Sequence, residues 1–453
     1  MDMKRTKVAD MTTGSPFWHL LKFSIPLIIG NIFQQFYNMV DSIVVGNYVG
    51  ANALAAVGNC GSLNFLFFSL SSGLAIGIGI IVSQYFGAKE YERVSATIAN
   101  SFYVLISAAL VVSIIGYMMT PTILKWLFTP ADIMADSTIY MRTTCLGIAG
   151  IAVYNGIAAI LRALGDSRTP LYFLIVASVT NVVLDLMFVL YLNMGVMGVA
   201  LATIIAQFLS AVLCLIYAVW KVPFFKLTKE QLKPHKDIIV TSFKLGIPVS
   251  LQSAMIALSC SALQGIVNTF GPTVMAAFTI TNRVEQVVNQ PYSSLSAALV
   301  TYAGQNTGAG KLNRVKKGFW QAVIMVAVFS AVMIPVAFLF GENIVSLFVK
   351  EPEVIELGSK AIRITALCYF FLGMIYVPRG ILNGVGDTAF SLINGISEVA
   401  CRVGFSQILT RIPVIGFWGV WLTTGLTWTT TGIVCLARYF SGKWKSKGLK
   451  KYD

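Results

Sequence analysis

Four carboxylates stand inside long apolar runs of this 453-residue chain: Asp41 in "YNMVDSIVVG", Asp185 in "TNVVLDLMFVL", Glu285 in "TNRVEQVVNQP" and Glu398 in "SEVACRVG". A carboxylate in such surroundings costs free energy unless it is paired, protonated or bound to a cation, so each marks a candidate site. Asn181 precedes Asp185 by four residues and shares its helix face. Counting helical turns from the outer loops puts Asp41, Asp185 and Thr203 at similar depth, with Asn181 a turn deeper. If these faces converge, they form an oxygen-rich cluster with two carboxylates. Two close carboxylates in low dielectric do not both stay ionised cheaply; one takes a proton, or a cation binds between them. Carboxylate, amide and hydroxyl oxygens suit a small hard cation. The competing reading is structural: each carboxylate only satisfies neighbouring helices through Asn, Ser or Thr.

Glu398 has Arg402 four residues on, the spacing of an intrahelical ion pair. Glu285 has Asn282 three residues before it and Asn289 four after. That polar stripe is expected to face a cavity, where it contacts a cationic substrate or loads a second proton; the alternative is a buried helix contact. Gln34, Tyr37 and Asn38 share a sector with Asp41 and join the cleft-lining candidates. Pro26 and Pro248 interrupt their helices at matching places, which reads as a pair of hinges or as static kinks. No nucleotide-binding P-loop, His-rich metal motif or nucleophile–base constellation is present, so an enzyme and an ATP-driven pump are not expected.

These residues need elements to hold them. The chain is 56% hydrophobic and only 11% charged, roughly half the charge of a soluble protein. Apolar stretches of membrane-spanning length recur from end to end, predicting a polytopic all-α membrane protein and excluding a β-barrel. Twelve spans are read at 17–45, 54–82, 95–119, 138–160, 168–191, 195–220, 238–268, 275–303, 318–340, 357–380, 388–410 and 416–440. The polar, basic N-terminus shows no cleavable signal peptide. Seven cysteines lie singly and the two histidines lie near segment ends, which argues against disulfides or a metal cluster. Lysine and arginine concentrate in alternate loops, from Lys4, Arg5 and Lys7 to the lysines of the tail "GKWKSKGLKKYD". By the positive-inside rule both termini are cytoplasmic. The net charge of +14 is then a topological signal, and no nucleic-acid partner is expected.

The two halves match. "SQYFGAKEYERV" resembles "GQNTGAGKLNRV" at an offset of 221 residues, which also relates Gly165–Asp166 to Gly386–Asp387 and Gly195 to Gly416; Pro26 and Pro248 differ by 222. One register serving several motifs indicates an internal repeat. Six spans per copy make the repeats parallel, related by a pseudo-two-fold axis along the membrane normal. The expected division is a cytoplasmic segment 1–16, an N-lobe 17–218, a basic linker 219–237, a C-lobe 238–440 and a basic tail 441–453. In the second copy Asp41 maps near Leu263, Asn181 to Arg402, Asp185 to Ser406 and Thr203 to Thr424. The scaffold is duplicated and the acidic cluster is not, which favours function over packing.

Twelve spans in two parallel sixes, "IPLIIGNIFQQFYNMVDSIVVG", "LRALGDSRTP", "TNVVLDLMF" and the recurrence of "GAGKLNRV" and "GDT" resemble one family across residues 15–440. It is the multidrug and toxic compound extrusion (MATE) transporters, bacterial type, of the multidrug/oligosaccharidyl-lipid/polysaccharide flippase superfamily. The resemblance implies a V-shaped pair of six-helix bundles in the inner (plasma) membrane. It implies export of cationic amphiphilic small molecules by antiport with H+ or Na+, by a monomer with no other cofactor. In one branch an Asp of the first span, an Asn and Asp four apart in the fifth, and a Thr of the sixth form the coupling site; Asp41, Asn181, Asp185 and Thr203 match it, and they are the metal ligands if the ion is Na+. Another branch is associated with acidic residues in the seventh and tenth spans, which hold no carboxylate here. The runner-up reading is a flippase for a lipid-linked saccharide or other polar lipid, expected to line its cleft with basic residues; Arg283 leaves it open.

Overall fold

The computed structural model describes residues 9–126 and 129–449. Lys4, Arg5 and Lys7, and the end of the basic tail from Lys450, lie outside the described residues. In lipid every backbone N–H needs a partner within its own segment, so apolar runs of this length become helices. In order these are α1 Pro16–Val44, α2 Ala51–Asn59, α3 Gly61–Gly87, α4 Tyr91–Trp126, α5 Ala131–Ala163, α6 Arg168–Leu186 and α7 Gly195–Lys221. They continue with α8 Lys236–Val267, α9 Pro272–Gly308, α10 Leu312–Ser346, α11 Pro352–Ala366, α12 Tyr369–Gly384, α13 Ala389–Leu409 and α14 Gly419–Phe440. No strand occurs among the described residues.

Two expected spans are each built from two helices. The tenth, α11 and α12, bends by 48° at its break, and the second runs through α2 and α3. With each pair taken as one segment, the α-helices among the described residues form twelve, one for each expected span. Among the described residues nine are long and apolar enough to cross a membrane, and the bent pair makes ten. The two segments outside that set are α9 and α13, which carry Glu285 and the Glu398–Arg402 pair. Their polar and charged residues lower their apolarity.

By contact the chain divides into two units. One is Ile25–Leu251 with the described part of Met1–Met11; the other is Thr12–Ser24 with the described part of Gln252–Asp453. In the first unit the core runs along α5, where Ile148, Ala152, Ile157 and Leu161 pack with Ile78 and Val82 of α3 and Cys214 and Ala218 of α7. Small residues let α3 and the start of α8 approach closely: a Cβ at Gly77 would stand 2.7 Å from the backbone nitrogen of Gly246. The basic linker lies on this unit too, with His235 N donating to Asn100 Oδ1 at 2.8 Å and Arg93 bridging Asp237 at 2.7 Å.

The repeat is written in the backbone. Eight of the eleven positive φ angles among the described residues fall in pairs: Gly50 (+118°) and Gly271 (+88°), Lys89 (+61°) and Gly310 (+70°), Gly165 (+90°) and Gly386 (+92°), Gly195 (+55°) and Gly416 (+52°). The turn bonds match as well. Asp166 N donates to Leu161 O at 2.9 Å, and Asp387 N donates to Leu382 O at 2.8 Å. The side-chain partners differ. Asp166 accepts from the backbone of Arg168 and Thr169 at 3.0 Å, whereas Asp387 takes the Arg438 guanidinium at 2.8 and 3.1 Å.

Candidate functional site

The first unit gathers its polar side chains from five helices. Tyr37 and Asp41 come from α1, Asn64 from α3, Tyr140 from α5, Asn181 and Asp185 from α6, and Thr203 from α7. Both carboxylate helices continue as single π turns just beyond their acids, Val45–Val49 after Asp41 and Met187–Tyr191 after Asp185. Such turns widen the helix locally and are frequent at functional sites. Among the described residues the second half holds no π turn, so this feature belongs to the acidic half alone.

Asp185 and Asn181 are fully buried and Asp41 is half-buried. The Asp41 and Asp185 carboxyls lie within hydrogen-bonding reach of each other. Oriented so that its nitrogen meets an acceptor and its oxygen meets donors, the Asn181 amide donates to Asp185 Oδ2 at 2.9 Å. It accepts from the Thr203 hydroxyl at 3.2 Å and the Thr203 N–H at 3.1 Å. Tyr37 lies beside Thr203 and near both carboxylates. Tyr140 lies near Asn64 and Asp41. Asp41 Oδ1 and Asp185 Oδ1 are buried and have no hydrogen-bond donor among the described residues. The ion pairs among the described residues all lie elsewhere. Two carboxylates therefore face each other with no ion-pair partner among the described residues, an arrangement a shared proton or a small cation completes.

The sequence-predicted quartet Asp41, Asn181, Asp185 and Thr203 is thus brought together. Of the three α1 cleft candidates, Tyr37 belongs to this cluster, while Gln34 and Asn38 bond each other at 3.4 Å. Tyr140 and Asn64 were missed. One signal pointed to the second: Asn64 is the repeat mate of Glu285 at the 221 offset.

In the second unit a cavity of about 240 Å3 is lined by Asn282, Glu285 and Asn289 of α9 with Glu398 and Arg402 of α13. The other three cleft candidates are therefore brought together. Glu398 and Arg402 form the expected i,i+4 pair at 2.9 Å, both buried. Pro26 lies inside α1 and Pro248 inside α8, where their missing N–H groups interrupt the helical ladder. Among the described residues no three His, Cys, Asp or Glu side chains converge as a metal centre.

The MatE family model matches the chain twice, over residues 26–187 and 248–407. Each match begins at one of the paired prolines. A Bacillus subtilis protein described as the probable multidrug resistance protein YpnP is 29% identical over 446 residues, 98% of this chain and 99% of its own length. The probable multidrug resistance protein NorM of Thermotoga maritima is 23% identical, over 95% of this chain and 93% of its own. Among solved structures, an outward-facing multidrug resistance MATE family transporter superposes with a TM-score of 0.87 at 22% identity, covering 96% of this chain and 98% of the other.

Proposed function

Because the chain belongs to the MatE family of multidrug efflux transporters, we propose that it is a secondary active antiporter exporting cationic amphiphilic compounds in exchange for H+ or Na+. The observation that carries the reading is the facing pair Asp41–Asp185, each with a buried oxygen lacking a donor among the described residues. The coupling ion is bound by Asp41 and Asp185, with Asn181 and Thr203 as further oxygen ligands if it is Na+. The protein is a monomer in the inner membrane with both termini cytoplasmic.

In the outward-facing state the carboxylate pair takes up the ion, which moves down its gradient. Neutralisation removes the repulsion between the pair and changes the packing of α1, favouring the inward-facing state. Release of the ion restores the charge, and substrate binding drives the return. An ion shifts this equilibrium only through different affinities for the two states, so the π turns beside both acids are the natural place for the change.

The flippase reading needs free guanidinium groups along a cleft. Arg402 bridges Glu398, Arg363 bridges Glu342, Arg438 bridges Asp387, and Arg142 lies 5.0 Å over the Tyr117 ring. The exposed Arg283 and the cavity-lining Arg379 have no carboxylate partner among the described residues; with so few such groups, the flippase ranks second. The test is ethidium efflux from proteoliposomes under an imposed H+ gradient and then an imposed Na+ gradient. One of the two drives efflux by the unaltered protein, and Asp41→Asn or Asp185→Asn abolishes it at normal expression. Full transport by either variant sinks the mechanism; no efflux under either gradient favours the flippase.

A further inference from the structure

The cavity of the second unit is the repeat counterpart of the carboxylate cluster in the first. At offsets of 221 or 222 residues, Asp41 maps to Leu263, Asn64 to Glu285, Asn181 to Arg402 and Thr203 to Thr424. All four of these mates line the cavity. The duplicated scaffold has kept the pocket and exchanged its chemistry.

Where the first unit leaves acceptors without a cation, the second supplies its own. Arg402 Nη2 donates to Glu398 at 2.9 Å, and Nη1 donates to Ser259 Oγ at 2.7 Å and to Cys260 Sγ at 2.9 Å. That guanidinium and Glu398 cancel each other. Glu285 has no such partner: among the described residues its carboxylate forms no ion pair. The remaining cation on the wall, Arg379, lies 4.3 Å over the Tyr376 ring. Four residues beyond Glu285 on the same face, Asn289 Oδ1 is buried and has no donor among the described residues. Phe278, Tyr376 and Trp428 give the cavity aromatic walls.

We propose that this cavity is a recognition site for a protonated primary or secondary arylalkylamine, with Glu285 meeting the charge and Asn289 Oδ1 accepting an N–H. The carboxylate selects a cation. The orphaned amide oxygen selects one that carries N–H donors, which a quaternary ammonium lacks. Aromatic faces hold the ring and add cation–π attraction. The cavity, about 240 Å3, has room for such a group, since about 150 Å3 accommodates benzene. The site deepens the exporter reading and rests on it for its purpose.

The test measures binding, apart from transport. The full-length protein in lipid nanodiscs is equilibrated at neutral pH with 2-phenylethylamine or with its N,N,N-trimethyl analogue, and each is assayed by equilibrium dialysis. The amine binds at least about tenfold more tightly than the trimethyl compound, as expected for hydrogen bonds to a charged group. Glu285→Gln weakens the amine by at least about tenfold. Asn289→Leu weakens the amine and leaves the trimethyl compound unchanged. Equal affinity for the two probes, or amine binding indifferent to Glu285→Gln, overturns the proposal. If Glu285→Gln does not fold, the ratio of the two probes on the unaltered protein decides. Amine binding without gradient-driven ethidium efflux overturns the exporter reading instead and leaves this site standing.

Discussion

Asn181 is the residue that ties the coupling candidates together. Its amide spans from Asp185 Oδ2 to both donors of Thr203, so it links α6 to α7 beside the carboxylate pair. Asn181→Ala removes a donor to a carboxylate, an interaction of about 1.5–3 kcal/mol, while leaving both acids in place. The expected result is a rise of roughly tenfold or more in the concentration of coupling ion that half-saturates efflux, with maximal efflux retained at high ion. An unchanged half-saturation point would show that Asn181 serves helix packing only. Asn181 and Asp185 were readable together because four residues place them on one face, and Asp41 and Thr203 because turn counting fixed their depth. Tyr140 and Asn64 were not, because α5 and α3 reach the site through tertiary packing that no local spacing encodes. Tyr37 was seen in the right sector, but its approach to Thr203 depends on how α1 meets α7.

At the scale of the element, the turns between helices carry the repeat most faithfully, and one of them is strained in a single copy. The turn after α3 places Lys89 at φ +61°, and the matching turn after α9 places Gly310 at φ +70°. A residue with a Cβ costs about 1–2 kcal/mol in that region. Lys89→Gly is therefore expected to raise the thermal unfolding midpoint in detergent, and Gly310→Ala to lower it, each through about 1 kcal/mol. Shifts of the same sign for both would mean that the turns are not equivalent. The sequence motif around each turn exposed the register, and the helices followed from apolar length. Three features did not: the 48° bend between α11 and α12, the α2–α3 break, and the π turns beside Asp41 and Asp185. Each is set by what the helix packs against, and hydropathy is blind to it.

The whole molecule changes contact unit in the middle of two helices, between Ser24 and Ile25 in α1 and between Leu251 and Gln252 in α8. Pro26 and Pro248 stand two and three residues from those crossings. A proline removes one ladder hydrogen bond and lowers the resistance of a helix to bending at that point, which suits a hinge. The two sites are held differently. Around Pro248, α8 is pinned to α3, with Ser250 Oγ donating to Leu70 O at 3.1 Å and Gly246 set close against Gly77. Beyond Pro26, α1 leaves Ile29, Phe33 and Phe36 exposed, and is less constrained. If α1 is the moving element, Pro26→Ala restores a backbone bond where bending matters and slows ethidium efflux several-fold. Pro248→Ala then has a smaller effect, and neither variant changes the ion concentration for half-saturation or lowers the unfolding midpoint. Initial efflux rates at saturating ion, measured for both variants, decide the point. Equal rates for both variants and the unaltered protein would make the prolines static kinks, and a larger loss at Pro248 would move the hinge to α8.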